Sequence, residues 1–154
     1  CLIHQPSYNM FNRWIEEDSL LDTLEDLGVG SIAFTPLAQG MLTKKYLNGV
    51  PNDSRAMQDK SLDRKKIKPE LVEALNKLNA IASNRGQSLA QMALAWVLRG
   101  GRVTTALIGA SKSEQVLDCV GAIENLNFTE DELSEIDRLS GDLGINLWAA
   151  SSKI

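Results

Sequence analysis

Val103-Thr104-Thr105-Ala106-Leu107-Ile108-Gly109-Ala110-Ser111-Lys112-Ser113-Glu114-Gln115 runs from an apolar, β-branched segment through a glycine and small hydroxyl residues into Val116-Leu117-Asp118-Cys119-Val120-Gly121-Ala122-Ile123. The first part has strand composition and the last reads as a helix, so the stretch is one βα unit. Such a turn can hold an anion: its backbone N–H groups are exposed, the helix end adds partial positive charge, and Lys112 adds a full one. An ordinary βα turn with a serine N-cap accounts for the same residues. The two-glycine spacing of a P-loop is absent. On the stretch alone both readings stand.

Working outward, the chain repeats the pattern. Leu2 to Gln5 is a short apolar run stopped by Pro6, and 6–13 is a loop of turn formers. Asp18-Ser19 offers an N-cap for a helix with Leu20, Leu21, Leu24 and Leu27 at helical spacing, closed by Gly28. Ser31 to Phe34 is a second strand, stopped by Pro36. Residues 35–68 form a long irregular segment, of a length that is usually functional or disordered. Pro69 suits a first helical turn, with Leu71, Val72, Leu75, Leu78, Ile81 and Ala82 in period and Gly86 at the end. Ser88 to Gln91 is a capping box before an almost wholly apolar helix to Leu98, and Thr129 to Glu132 is another before Leu133, Ile136 and Leu139. Gly141 and Gly144 follow, then a tail from 145 to 154 that contains Trp148. Strands of 2–5, 31–34 and 103–108 alternating with helices predict an α/β fold with a parallel sheet. Parallel strands are normally covered on both faces, and no segment here obviously covers an open edge.

The 154 residues fit one domain, and 44% hydrophobic with 23% charged residues is ordinary for a globular chain. A net charge of -4 and no basic face argue against a nucleic-acid partner. The run from Lys60 to Lys68 has five basic residues, but no interleaved aromatics, and reads as a solvated loop. Cys1 and Cys119 make neither a zinc site nor a disulfide framework. No apolar run approaches a membrane span, no membrane partner is expected, and with no signal-peptide pattern a cytoplasmic setting is expected. The opening Cys1-Leu2-Ile3-His4 reads as a strand already under way, which suggests a chain cut from something longer.

Gln5-Pro6-Ser7-Tyr8-Asn9, Thr35-Pro36-Leu37-Ala38-Gln39-Gly40 and Leu107-Ile108-Gly109-Ala110-Ser111 resemble motifs of the aldo-keto reductases. The likeness is to the branch holding potassium-channel β subunits and bacterial glyceraldehyde-3-phosphate reductases, and Asn146 to Ser152 resembles the bacterial members. The resemblance implies a (β/α)8 TIM barrel that binds NADPH at the C-terminal ends of its strands. It covers only the last three strands and their helices. Residues 1–154 are then a single C-terminal partial barrel, and the units that carry the family's catalytic Asp, Tyr, Lys and His have no counterpart. His4, Tyr8 and Tyr46 sit in the wrong places to replace them, so no catalytic residue is assigned, and no metal ligand.

The resemblance does assign a cofactor cradle. Gln5 matches the glutamine that pairs with the nicotinamide carboxamide, and Phe34 an aromatic ring against the nicotinamide face. Thr35, Pro36, Leu37, Ala38, Gln39 and Gly40 match the loop along the pyrophosphate. Lys45 matches a lysine near the phosphates and Arg55 an arginine near the adenosine. Gly109, Ser111 and Lys112 fall at the 2′-phosphate, Gln115 near the adenine, and Asp118 at the adenosine end. Two departures stand out: Lys44 replaces a glycine, and Cys119 replaces an asparagine, which weakens the expected adenine contacts. Lys112 with Arg55 favours NADP(H) over NAD. The expectation is the NADP-binding part of an oxidoreductase whose parent reduces small aldehydes or ketones, with the chain alone inactive. The alternatives are a non-catalytic nucleotide-binding regulatory module, or a half-barrel that completes itself as a homo-oligomer or with the missing N-terminal half.

Overall fold

Three short runs pair in parallel, in the order β1 (Ile3–His4), β2 (Gly30–Ala33) and β3 (Thr105–Ala106). The structure is a computed structural model and describes residues 1–49 and 67–141. The register sets Ile3 opposite Gly30 and Ile32 opposite Thr105. β1 and β3 are shorter than the apolar runs 2–5 and 103–108, and β2 lies one residue earlier than the run 31–34. Thr104 Oγ1 accepts from Ser31 N at 3.0 Å while Thr104 N donates to Ser31 O at 3.0 Å. Gly30 permits this: a Cβ there would lie 3.1 Å from that hydroxyl. Past β2, Phe34 leaves the ladder and bridges Ser7 instead.

The helices are α1 (Trp14–Glu17), α2 (Leu20–Asp26), α3 (Pro69–Asn84), α4 (Leu89–Leu98), α5 (Ser113–Val120) and α6 (Glu130–Leu139). α2 and α3 end as their glycines predict. Gly28 (φ +64°) and Gly86 (φ +69°) take the left-handed conformation after the C-cap. The amide two residues beyond each C-cap donates to the carbonyl five residues before it: Val29 to Leu24 at 2.8 Å, Gln87 to Ala82 at 2.9 Å. Both capping boxes form, Ser88 with Gln91 and Thr129 with Glu132. Ser19 differs from expectation. It precedes α2, but at φ +53° its hydroxyl caps nothing, because the chain has just come off α1 in a tight turn.

α4 is the buried centre, with every residue but Gln91 and Leu98 buried. Leu71, Leu75 and Leu78 of α3 and Ile136 and Leu139 of α6 join it in one cluster with Tyr8, Ile15, Met41 and Tyr46. Trp96 is fully buried, its ring centroid 5.2 Å from that of Tyr8, with the guanidinium carbons of Arg99 and Arg13 at 3.7 and 4.5 Å from its ring. Leu107 just after β3, Leu117 and Val120 on α5 and Ile123 in the turn that follows are exposed, as are Leu2 and Ile3 at the β1 edge.

Gly121, at the end of α5, carries a prediction. A Cβ there would lie 2.5 Å from Gln91 Nε2, and Gln91 Oε1 already accepts from Ser88 N at 2.8 Å in the capping box. Gln91 cannot swing aside without opening that box. Gly121→Ala is therefore expected to cost about 1 kcal/mol, the size of a lost cap. In urea unfolding, the costs of Gly121→Ala and Gln91→Ala should fail to add.

Candidate functional site

Because the strands are parallel, the segments leaving them emerge at one end of the sheet: 5–12 after β1, 34–46 after β2 and 107–112 after β3. Ligands of parallel α/β sheets bind at this end. Gln5 is exposed directly after β1. Phe34 is half-buried and pinned by its backbone, its N–H donating to Pro6 O at 2.9 Å and its carbonyl accepting from Tyr8 N at 3.2 Å.

The next six residues hold the most strained backbone described. Thr35 (φ +56°), Ala38 (φ +47°) and Gln39 (φ +58°) are all left-handed, and Gly40 (φ +93°) follows. Each non-glycine residue in that region costs roughly 1–2 kcal/mol, more for a β-branched one. Strain of this kind persists only where the surroundings hold it, and it gathers at functional loops. Pro36 and Ala38 are buried, and Gln39 Oε1 is buried with no hydrogen-bond partner in the structure. Thr43 then donates to Gly40 O at 2.7 Å and accepts from Lys45 N at 3.3 Å, starting a short 3-10 turn over Lys44–Tyr46. Lys44 and Lys45 are both exposed, and Lys44 is not among the positive-φ residues, so lysine in place of glycine strains nothing there.

After β3 the chain turns at Gly109. Neither conformation nor packing demands glycine, since its φ lies outside the left-handed region and a Cβ would meet nothing within 4 Å. The expected serine N-cap of α5 is not found. The N-cap is Lys112, extended at φ −142° and ψ 148°, with no side-chain cap. Instead Gln115 reaches back, its Oε1 accepting from Ser111 N at 2.8 Å and lying 3.2 Å from Ser111 Oγ. Ser111, Lys112, Gln115 and Asp118 are all exposed. Asp118 Oδ2 accepts from Ser88 Oγ at 3.1 Å. Burial, and then the Asp118 carboxylate, pushes the Cys119 thiol up from its ordinary pKa. Arg55 and Trp148 lie outside the described residues.

One group missed in the sequence is Ser7, Asn9 and Asn12, which read there as ordinary turn formers but are buried, Ser7 and Asn9 bonded to Thr35 and Asn12 to Ser7. Their only sequence signal is a density of small polar residues between apolar ones. A cavity of about 240 Å³ lies elsewhere, on the outer helices, lined by Arg13, Glu16, Asp22, Arg99 and Arg102 among others. None of the expected cofactor residues lines it. Its arginines are committed: Arg13 to Asp137 and Arg99 to Glu16, both at 2.6 Å, and Arg102 to Asp22. Among the described residues no cluster of three or more His, Cys, Asp or Glu could hold a metal, and no helix is long and apolar enough to cross a membrane.

Tyr8 belongs to this outer cluster. Its hydroxyl donates to Glu16 and accepts from Arg99 Nη1 at 2.8 Å. Burial pushes the phenol well above its ordinary value; Arg99 pulls it down, and the Glu16 carboxylate pushes it up again. A raised folded pKa means stability that is fully present below the ordinary tyrosine value, about 10, and lost as pH rises through the folded value. Tyr8→Phe should flatten that alkaline loss, read as thermal midpoints between neutral pH and pH values of about 11.

The match to the family model "Aldo/keto reductase family" covers residues 1–140. An L-glyceraldehyde 3-phosphate reductase of Escherichia coli (strain K12) is 53% identical over 98% of the chain, and a probable voltage-gated potassium channel subunit beta of Oryza sativa subsp. japonica is 36% identical over 80%. The chain spans 45% and 38% of those two proteins, less than half of each. Among solved structures, the glycerol dehydrogenase from Gluconobacter oxydans matches with a TM-score of 0.73 and 30% identity over 94% of the chain and 43% of its own. A thermostable aldo-keto reductase in complex with epalrestat shares the fold, with a TM-score of 0.60 at 24% identity over 89% of the chain and 39% of its own.

Proposed function

The chain belongs to the aldo/keto reductase family, and from that premise we propose that it is the NADP-binding, C-terminal part of a reductase of small aldehydes or ketones. Its α/β fold, with three parallel strands, is part of a TIM barrel. The observation that carries the reading is the strained loop Thr35–Gly40 at the ligand end of the sheet, between Gln5 on one side and Gly109–Gln115 on the other.

These residues fit a dinucleotide phosphate. Open space at Gly109 allows close approach, and the exposed Lys112 supplies charge beside it. Ser111 and Lys112 would take the 2′-phosphate with Arg55, the Thr35–Gly40 backbone and Lys45 the pyrophosphate, and Gln115 and Asp118 the adenosine end. Gln5 would pair its amide with the nicotinamide carboxamide, and Phe34 would pack its ring on that face. When bound, the cofactor supplies the hydride. This chain orients it, and no proton donor for the carbonyl is assigned to it. We place the protein in the cytoplasm.

Titration with NADPH tests the reading, with an aldehyde-dependent oxidation assay on the same sample. Binding without turnover is the expected result. A second reading, self-association, is favoured by the exposed Leu2 and Ile3 at one sheet edge and Leu107 just after β3 at the other, with Leu117 and Ile123 exposed on and after α5. Sedimentation decides it, since a well-behaved monomer would count against association.

A further inference from the structure

The segments leaving β1 and β2 are tied together by a buried polar network whose Ser7, Asn9 and Asn12 are not among the proposed cofactor contacts. Ser7, Asn9 and Asn12 are 5%, 5% and 3% exposed. Asn9 Nδ2 donates to Thr35 O at 3.0 Å, and Asn9 Oδ1 accepts from Phe11 N at 2.9 Å, which settles which way the amide faces. Thr35 Oγ1 donates to Phe34 O at 2.7 Å, so the Ser7 hydroxyl, 3.0 Å away, is the donor to Thr35. Asn12 Nδ2 in turn donates to Ser7 Oγ at 2.9 Å, and Trp14 Nε1 to Ser7 O at 3.1 Å. Polar side chains this buried are tolerated only when their hydrogen bonds are made, and these form a connected chain.

The chain ends on Thr35, the residue least suited to its conformation. It is β-branched and left-handed, yet both its carbonyl and its hydroxyl are held from the neighbouring segment. The same carbonyl accepts from Ala38 N at 2.9 Å, so it also starts the turn that shapes 35–40. We propose that Asn9, assisted by Ser7, is a positioning residue: it locks Thr35 left-handed and so presets the 35–40 backbone for the phosphates of the dinucleotide. The inference rests on the NADP reading above. A loop already in its binding conformation gives up no ordering free energy when the ligand arrives.

The test uses the full 154-residue chain with Asn9→Ala. Amide exchange at Ala38, Gly40 and Leu42, whose N–H groups donate to Thr35 or Leu37 carbonyls, reads the clamp without any ligand. It should quicken about tenfold while α3 and α4 stay unchanged, and the NADPH dissociation constant should rise about tenfold. Thr35→Gly relieves the conformational clash, so in that background Asn9→Ala should cost less than about threefold. If Asn9→Ala does not fold, Ser7→Ala should show the same changes at smaller size. Unchanged exchange in these variants overturns the proposal, as does an affinity loss just as large in the Thr35→Gly background. Faster exchange in a chain whose unaltered form binds no NADPH upholds the clamp but overturns the NADP reading and the ligand named here.

Discussion

Trp96→Ala should be the most destabilising single change in the described core, at about 3–5 kcal/mol. That is a large share of the roughly 5–15 kcal/mol that holds a domain folded. Trp96 is fully buried on the central helix α4, stacked near Tyr8 and covered by the guanidinium groups of Arg99 and Arg13. Removing the ring leaves a cavity and strips two cations of the aromatic face that they pack on. Arg99 would still be tied to Glu16 and Arg13 to Asp137, so the walls cannot easily collapse inward. Trp96→Phe is the informative control. It keeps an aromatic face and removes an indole N–H that is buried without a partner. An unpaired buried donor costs about 1–3 kcal/mol, so its loss should offset part of the lost packing. Urea unfolding followed by circular dichroism checks both. A cost below about 1 kcal/mol for Trp96→Ala would show that the core is not organised on this residue.

Lys112→Glu should weaken NADPH binding about a hundredfold and leave NADH binding within about threefold. The reversal removes a charge-assisted contact and sets a carboxylate against the 2′-phosphate. The fold should not suffer, because Lys112 is exposed and caps α5 only through its backbone. Lys112→Gln, which removes the charge without reversing it, should fall between, at about tenfold. Calorimetric titration of the three chains with both nucleotides reads the effect. An equal loss for both nucleotides would move Lys112 away from the 2′-phosphate.

What was legible in the sequence was what local chemistry alone determines. Ser88 with Gln91 and Thr129 with Glu132 close the two capping boxes that their spacing implies, and Gly28 and Gly86 end their helices as left-handed residues. α4 is buried on nearly every face, as its unbroken apolar run requires. The strands lie where the apolar runs put them, but β1 and β3 are shorter than those runs and β2 begins and ends one residue earlier. α1 is too short to show a period. Ser19 and the residues after Gly109 carry good capping chemistry, yet tertiary placement sent Ser19 left-handed and drew Gln115 back to Ser111. The motif Thr35–Gly40 carries no sequence sign of the backbone strain at Thr35, Ala38 and Gln39. Nothing in a run of Ser, Asn and Asn foretells that Ser7 and Asn9 bond a left-handed threonine just past the next strand.

We propose that this chain holds the cofactor end of a reductase site without the chemistry at its other end. One titration of the purified 154-residue chain with NADPH, repeated with NADH and followed by addition of a small aldehyde, addresses it most directly. Saturable binding, tighter for NADPH than for NADH, with no aldehyde-dependent oxidation, is the predicted result. Absence of saturable NADPH binding, or steady turnover by the chain alone, would contradict it.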